Sequence, residues 1–426
     1  MSVLLITSSI NISSARALTV GNCSVTLGST TGVVLVNSGG YCYLAFSSTG
    51  ANSFTVPTGV SSSAVLVVAG GGAGGAGAWG GGGGAGGVVY AASYPLTAGA
   101  TMNLSVGGGG APGNSNLTPS TNRSNNGQDS WINSSSTFVA KGGGAGASYA
   151  YGDGTASNRN GSNGGSGGGG TEHASGGLGG TSTQTTPTYA TTVYGQSGGA
   201  SAAASNQSGA GGGGAGGVGT ATTSSVAGGA GGAGTNAFSA WFIAIGQFGV
   251  NGYIAGGGGG GSSSTAGAAG SGGGGVGGGS TVRNGSAGTA NTGSGGGGTS
   301  YTGSGEVAGA GGSGLIIFKF AEYVGPAVIS APSVSGTIYK GVTKQVTVTI
   351  DSAGKVVFYI DGKKIPSCIK VATTGSSPNF TATCNWKPSL HGSHSLSARI
   401  YPTNAAQTVQ SSPNKEVYIY KRTTTR

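Results

Sequence analysis

The sequence predicts an all-β protein: a β-sandwich with an inserted polyglycine-II-like, glycine-rich bundle, followed by a second β-sandwich. Three observations carry this expectation. Short β-branched and aromatic runs lie on both sides of a glycine-rich middle; 98 of the 426 residues are glycine, against a usual share of roughly 7%; and only 6% of residues are charged. Charge-driven disorder requires low hydrophobicity with high charge, and this chain is 36% hydrophobic. Collagen requires glycine at every third position, whereas here the glycines come in blocks such as Gly81 to Gly84 and Gly256 to Gly261, with only 12 prolines. No run approaches the 18 or so apolar residues of a membrane-spanning helix.

Residues 1–17 read as a signal peptide. A short apolar run, Val3 to Ile6, is followed by Ala15-Arg16-Ala17, the form of a signal-peptidase site, so that Leu18 would begin the mature chain. A frayed first strand is the competing reading. Four cysteines form two local pairs, Cys23 with Cys42 and Cys368 with Cys384. Because a long glycine-rich stretch separates the pairs, closure within each pair is expected. Two disulfides agree with an oxidising, extracellular or cell-surface location.

From Leu18 to Ala69, strand-like phrases alternate with turn residues: Ser24 to Leu27, Val33 to Val36, Tyr41 to Phe46, Phe54 to Val56 and Val65 to Val68. Glycine then dominates as far as Gly314. Glycine loses more backbone freedom on folding than any other residue, so such a stretch orders only if something compensates; otherwise it is a flexible linker. Three interruptions argue for order, namely Gly87 to Tyr90, Met102 to Val106 and Phe138 to Ala140, and the stretch ends in Leu315-Ile316-Ile317-Phe318-Lys319-Phe320. That last run has the composition of a buried strand, and the N-terminal sheet is the one available to receive it. Glycine blocks in polyproline-II-like conformation direct every amide and carbonyl outward, and only side-chain-free chains approach closely enough for those groups to pair.

The phrases Ser53 to Val60, Val65 to Gly72, Gly86 to Tyr90, Val106 to Gly109, Gly127 to Ser130 and Gly312 to Ile317 occur in an order that resembles the bacterial and phage glycine-rich domain, over residues 53–320. The resemblance implies polyglycine-II bundles, as in phage tail-fibre adhesins, with partner contacts on loops at the bundle tip. Long inserts at Ser148 to Asn163, Thr181 to Gln207 and Asn236 to Ile254 depart from that pattern and carry the aromatic candidates for partner contact: Tyr149, Tyr151, Tyr189, Tyr194, Phe238, Trp241, Phe242, Phe248 and Tyr253. Exposed aromatic faces suit sugar rings or protein hot spots. The competing reading makes Trp241 to Ile245 a buried strand or short helix plugging the bundle.

Beyond the glycine-rich domain (18–324), a second domain over 325–420 and a polar tail over 421–426 are expected. Strand runs recur at Lys344 to Ile350, Lys355 to Ile360, Phe380 to Cys384, His394 to Tyr401 and Val417 to Tyr420, and Asp361-Gly362 marks a tight hairpin. Val356 to Gly362 and Gly392 to Ala398 resemble bacterial Ig-like repeats of surface proteins and adhesins. In that arrangement Cys368 and Cys384 are expected to pin adjacent strands rather than join two sheets.

No chemistry-bearing constellation stands out, so no enzyme activity and no cofactor are expected. Glycine-rich matches to nucleotide-binding fingerprints are unavoidable in this composition and none opens a helix within a βαβ unit. Asp153, Glu172 and His173 share one glycine-rich stretch and read as solubilising loop residues. His394 reads as a packing or surface residue. Most of the net charge of +10 falls after Gly325, where 12 of the 18 Lys and Arg face only Asp351, Asp361 and Glu416. No helix or aromatic platform organises these charges for nucleic acid. The partners expected are a cell-surface glycan or protein and an anionic wall polymer met by the basic C-terminal domain. The function expected is that of an exported, non-enzymatic adhesin or structural protein, with a phage receptor-binding protein or a passive spacer as alternatives.

Overall fold

The computed structural model describes residues 2–5, 16–113, 123–148, 158–171, 176–201, 207–223, 227–300, 305–322, 327–376, 379–403 and 407–422. The chain forms two compact units, Met1–Glu322 and Tyr323–Arg426, a division two residues from the shift in composition.

In the first unit the elements run β1 (Ser2–Leu5), β2 (Arg16–Val20), β3 (Cys23–Leu27), β4 (Val33–Ser38), β5 (Tyr41–Phe46), β6 (Gly50–Thr55), β7 (Ser62–Val68), β8 (Val88–Pro95), β9 (Thr101–Val106), β10 (Ser130–Ile132), β11 (Phe138–Ala140), β12 (Thr192–Tyr194), α1 (Ser239–Ile245) and β13 (Leu315–Ala321). One sheet has the order β1-β4-β5-β13-β7-β8-β12 and the other β11-β10-β9-β6-β3-β2. The Leu315 to Phe320 run thus enters the centre of the first sheet, antiparallel to β5 and β7. Its residues alternate between two cores. Ile316, Phe318 and Phe320 face the sandwich interior, where Phe318 meets Phe54 edge-on at 4.9 Å, while Leu315 and Ile317 belong to a second core on the opposite face. Burial on both faces explains why β4, β5, β7 and β13 read as continuous apolar runs rather than alternating ones. In the other sheet β2 and β3 alternate buried and exposed residues.

The glycine-rich excursions leave this sandwich and return to it as blocks bonded to one another. Ala69, Gly72 and Gly75 donate to the carbonyls of Gly87, Gly84 and Gly81; Gly70 and Ala73 donate to Gln128 and Asn125; Gly71 and Gly74 donate to Gly312 and Gly309. Every third residue therefore addresses the same neighbour, as three residues per turn requires. Block 80–87 shows the fullest environment. Its N–H groups reach Thr299, Gly296 and Gly293 on one neighbour, Ala147, Gly144 and Lys141 on a second, and Ala210 and Gly213 on a third, all at 2.8 to 3.0 Å. Its carbonyls accept from three further neighbours, through Gly72 and Gly75, through Ser166 and Gly169, and through Gly258 and Gly261. The demand that buried backbone groups be paired is met without a β-ladder. Side chains would prevent it: a Cβ on Gly81, Gly82 or Gly84 would overlap a carbonyl oxygen of Gly169, Gly258 or Ser166 respectively.

The second unit contains β14 (Ser333–Val334), β15 (Ile338–Tyr339), β16 (Lys344–Ile350), β17 (Gly354–Ile360), β18 (Lys363–Lys364), a 3₁₀ turn at Pro366–Cys368, β19 (Val371–Ala372), β20 (Thr374–Ser376), β21 (Asn379–Trp386), β22 (Gly392–Pro402), β23 (Gln410–Ser411) and β24 (Lys415–Tyr420). A sheet ordered β14-β16-β21-β20 packs on one ordered β15-β24-β22-β17-β18 through a core that includes Val346, Val348, Phe358, Trp386, Leu396 and Ile400. The Asp361-Gly362 hairpin closes with Ile360 opposite Lys363. Both turn residues have positive φ, 47° and 75°, the conformation a two-residue turn imposes and Asp-Gly accommodates.

Both disulfides form, Cys23 to Cys42 and Cys368 to Cys384, with Cα separations of 5.6 and 5.5 Å. The setting of the second bridge differs from the sequence expectation. Cys368 lies in the 3₁₀ turn, flanked by β18 and β19, which both pair with β17, whereas Cys384 lies on β21 of the other sheet. This bridge therefore does not pin adjacent strands; it ties a connection of one sheet to a strand of the other. Cys23 on β3 and Cys42 on β5 likewise join the two sheets of the first sandwich. In each case a short sequence interval spans the sandwich because the chain changes sheets between the two cysteines.

Candidate partner-contact surfaces

The described aromatic residues of the inserts do not gather at the far end of the glycine bundle. Ala69 follows β7 and Gly87 precedes β8, so the turn between these two blocks lies at the end away from the sandwich, roughly 20 Å off at about 3.1 Å per residue. The Ser148 hydroxyl accepts from the Ala76 N–H at that far end; Tyr149 and Tyr151, which follow it, lie outside the described residues. The aromatic residues of the other two inserts lie at the sandwich. Tyr194 is on β12, paired with β8, and Tyr189 is exposed but leans edge-on against Tyr94 at 5.6 Å.

The insert containing α1 packs on the outer face of the larger sheet. Phe238, Trp241, Phe242 and Ile245 are buried there with Val34, Val36 and Tyr43. Trp241 stands edge-on to Tyr43, Tyr90 and Phe238, each at 6.0 Å. Phe248 and Tyr253 are half-buried. The helix ends at Gly246, whose αL conformation (φ 78°) lets its N–H reach the Phe242 carbonyl. Phe238, Trp241 and Phe242 therefore cap the sheet instead of standing on a tip, because that sheet's second face is apolar and needs cover. Trp241→Ala is expected to destabilise the first unit by about 3–5 kcal/mol, as large-to-small core substitutions do. Urea unfolding measures this; an unchanged midpoint would restore Trp241 as a presented side chain.

Among the described residues, the far end of the bundle carries an aromatic residue that sequence reasoning passed over. Trp79 occupies the turn between the first two blocks at φ 49°. The Thr171 hydroxyl donates to its carbonyl and the Thr299 hydroxyl to that of Gly77, both at 2.6 Å. An interruption as short as Ala78-Trp79 between two glycine blocks was the available signal.

Asp129 pairs with Lys141 at 2.8 Å, and Lys319 Nζ lies 4.3 Å from the Tyr41 ring centroid. At the second unit's hairpin, Asp361 accepts from the Ser395 N–H at 2.9 Å and lies 2.6 Å from His394 Nδ1. These two contacts, the backbone one foremost, hold its carboxyl below the usual carboxylate range. His394 thus braces the hairpin. Asp153, Glu172 and His173 lie outside the described residues. Among the described residues no group of three or more His, Cys, Asp or Glu gathers to hold a metal ion, and no helix is long and apolar enough to cross a membrane.

A second feature absent from the sequence expectations is an aromatic cluster on the outer face of the β15-β24-β22-β17 sheet. Tyr339, Tyr418 and Tyr420 are 40%, 54% and 49% exposed, while Ile338 and Ile419 beside them point into the core. The ring centroids of Tyr418 and Tyr420 are 4.7 Å apart, and those of Tyr339 and Tyr420 6.0 Å.

A sandwich whose connections run out as side-chain-poor, mutually bonded blocks defines a glycine-rich domain protein. The family model described as "Glycine-rich domain" matches residues 47–321, more than half of the chain, and the protein belongs to that family. The match spans nearly the interval over which the ordered phrases suggested it. Among solved structures, the chain is similar to the CARDB domain of a Pyrococcus furiosus protein, crystallised in complex with di-metal ions. It is 15% identical, covers 24% of this chain and 99% of its own, and superposes with a TM-score of 0.18, too low to support any argument. A comparison with curated protein sequences gave no significant match.

Proposed function

We propose that this chain is an exported, non-enzymatic surface protein whose glycine-rich blocks form a polyglycine-II-type bundle serving as a rigid body. The observation that carries the reading is the six-neighbour environment of block 80–87. Its N–H groups and nearly all its carbonyls are engaged in packing and it has no functional side chains, so its contribution is mechanical. Such a body holds its connecting turns away from the sandwich, as an adhesin or a structural surface protein requires. The disulfides in both units support an oxidising compartment. A phage receptor-binding protein would use the same body in a virion.

The test is fractionation of the producing cells with thiol alkylation before lysis, followed by N-terminal sequencing. The protein is expected outside the cytoplasm with all four cysteines protected and Leu18 at its N-terminus. Cleavage there would remove β1 and the first two residues of β2. Recovery from the cytoplasm with alkylated cysteines would overturn the reading.

A further inference from the structure

We infer that the Tyr339–Tyr418–Tyr420 cluster is a binding site for an acidic polysaccharide. The inference rests on the extracellular reading for its choice of polyanion. Strand alternation builds the site: Val417 and Ile419 turn inward while Tyr418 and Tyr420 turn outward, and the parallel pairing of β15 with β24 sets Tyr339 directly beside Tyr420. The core of the sandwich does not require these rings, because Ile338, Ile419 and Leu396 fill it from the inner face. Three adjoining exposed aromatic rings on a solvated sheet face mark an interaction surface rather than scattered surface apolarity.

Two features choose the occupant. First, the rings are tilted by 66° and 50° to one another, so open π-faces with negative quadrupole remain for the weakly positive C–H faces of sugar rings. The neighbouring Ser393, opposite Tyr418 in the register, adds a hydroxyl for sugar hydroxyls. Second, the chain places cations at the cluster's margin. Lys340 follows Tyr339, with its N–H bonded to the Tyr420 carbonyl, and Lys421 and Arg422 follow Tyr420; all three are exposed. They stand in a C-terminal region with 12 Lys and Arg against three acidic residues. Sugar rings bearing carboxylates complement both the rings and the charges. A second copy added strand to strand fits poorly, since the edge strand β15 has only two residues. Nucleic acid would also engage tyrosines and cations, but an oxidising, external compartment disfavours it.

The experiment measures binding of the full purified chain, disulfides intact, to polygalacturonate, with its methyl ester and an oligothymidylate as comparison probes. Polygalacturonate is expected to bind, more weakly as salt rises. The Tyr418→Ala/Tyr420→Ala variant should weaken it by roughly tenfold or more with an unchanged melting temperature, and Lys421→Gln/Arg422→Gln should weaken it while reducing the salt dependence. The inference is overturned by no binding, by tyrosine variants that bind as the parent does, by equal binding of the methyl ester, or by tighter binding of the oligonucleotide. Sedimentation showing a dimer lost in the tyrosine variant would assign the face to self-association instead. None of these outcomes depends on where the cell keeps the protein, so a failure here is distinct from a failure of the export reading.

Discussion

Gly83→Ala is expected to disrupt the glycine bundle, although it adds one methyl group. Gly83 donates to the Gly296 carbonyl and accepts from the Gly258 N–H, each at 2.8 Å, and an added Cβ would overlap the Gly72 carbonyl oxygen and the Ala73 backbone. No flexible side chain stands there to move aside. Relief requires separating blocks whose hydrogen bonds hold them at that spacing, which strains packing by about 1–3 kcal/mol and opens buried backbone groups at about 1–3 kcal/mol each. A loss of about 3 kcal/mol or more is expected. The comparison is Gly108→Ala, where the nearest atom to an added Cβ is the Gln128 Oε1 side-chain oxygen at 3.2 Å, a flexible group that shifts; a loss within about 1 kcal/mol is expected there. Urea unfolding of the two variants side by side is the measurement. Equal midpoints would mean that close approach of the blocks does not stabilise the domain.

Replacing both members of the first disulfide, Cys23→Ala/Cys42→Ala, is expected to cost about 3 kcal/mol, as loop closure over a sequence separation of 19 predicts. The bridge joins β3 of one sheet to β5 of the other, and β5 pairs directly with β13, the strand that brings the chain back from the glycine-rich blocks. Loosening it should therefore affect the whole first unit. Reduction of the wild-type protein should shift the same transition in the same direction. A double variant with wild-type stability would show that the sandwich core, with Phe46, Phe54 and Phe318 in mutual contact, holds the sheets together unaided.

Much of the sheet structure was legible because strands and turns are encoded locally. The β3, β4, β5, β7 and β13 runs announce themselves by β-branched and aromatic content, and Asp361-Gly362 announces its hairpin because few residue pairs accept two positive φ angles. The short strands β10 and β12 were not legible, since Ser130-Trp131-Ile132 and Thr192-Val193-Tyr194 sit among polar residues and lack the unbroken apolar run by which the equally short β11 shows itself. The candidate contact sites fared less well. Aromatic residues in an insert look alike whether they cover a sheet or face solvent, and only the second apolar face of β4, β5 and β13 explains why Phe238, Trp241 and Phe242 are buried. Tyr418 and Tyr420 alternate with Val417 and Ile419 in plain view, but Tyr339 lies far from them in the chain and joins them only through the β15–β24 pairing.

By itself the sequence determined that the protein would be all-β, that its cysteines would pair locally, and that its glycine blocks could approach one another closely. Tertiary structure decided which blocks are neighbours. A glycine block has no side chains and presents the same donors and acceptors at every third position, so nothing local distinguishes Gly296 from Gly144 as a partner for block 80–87. That choice falls to the ends: strands such as β7, β8, β11 and β13 fix where each block leaves or rejoins the sandwich, and the three-residue repeat propagates the assignment outward from there.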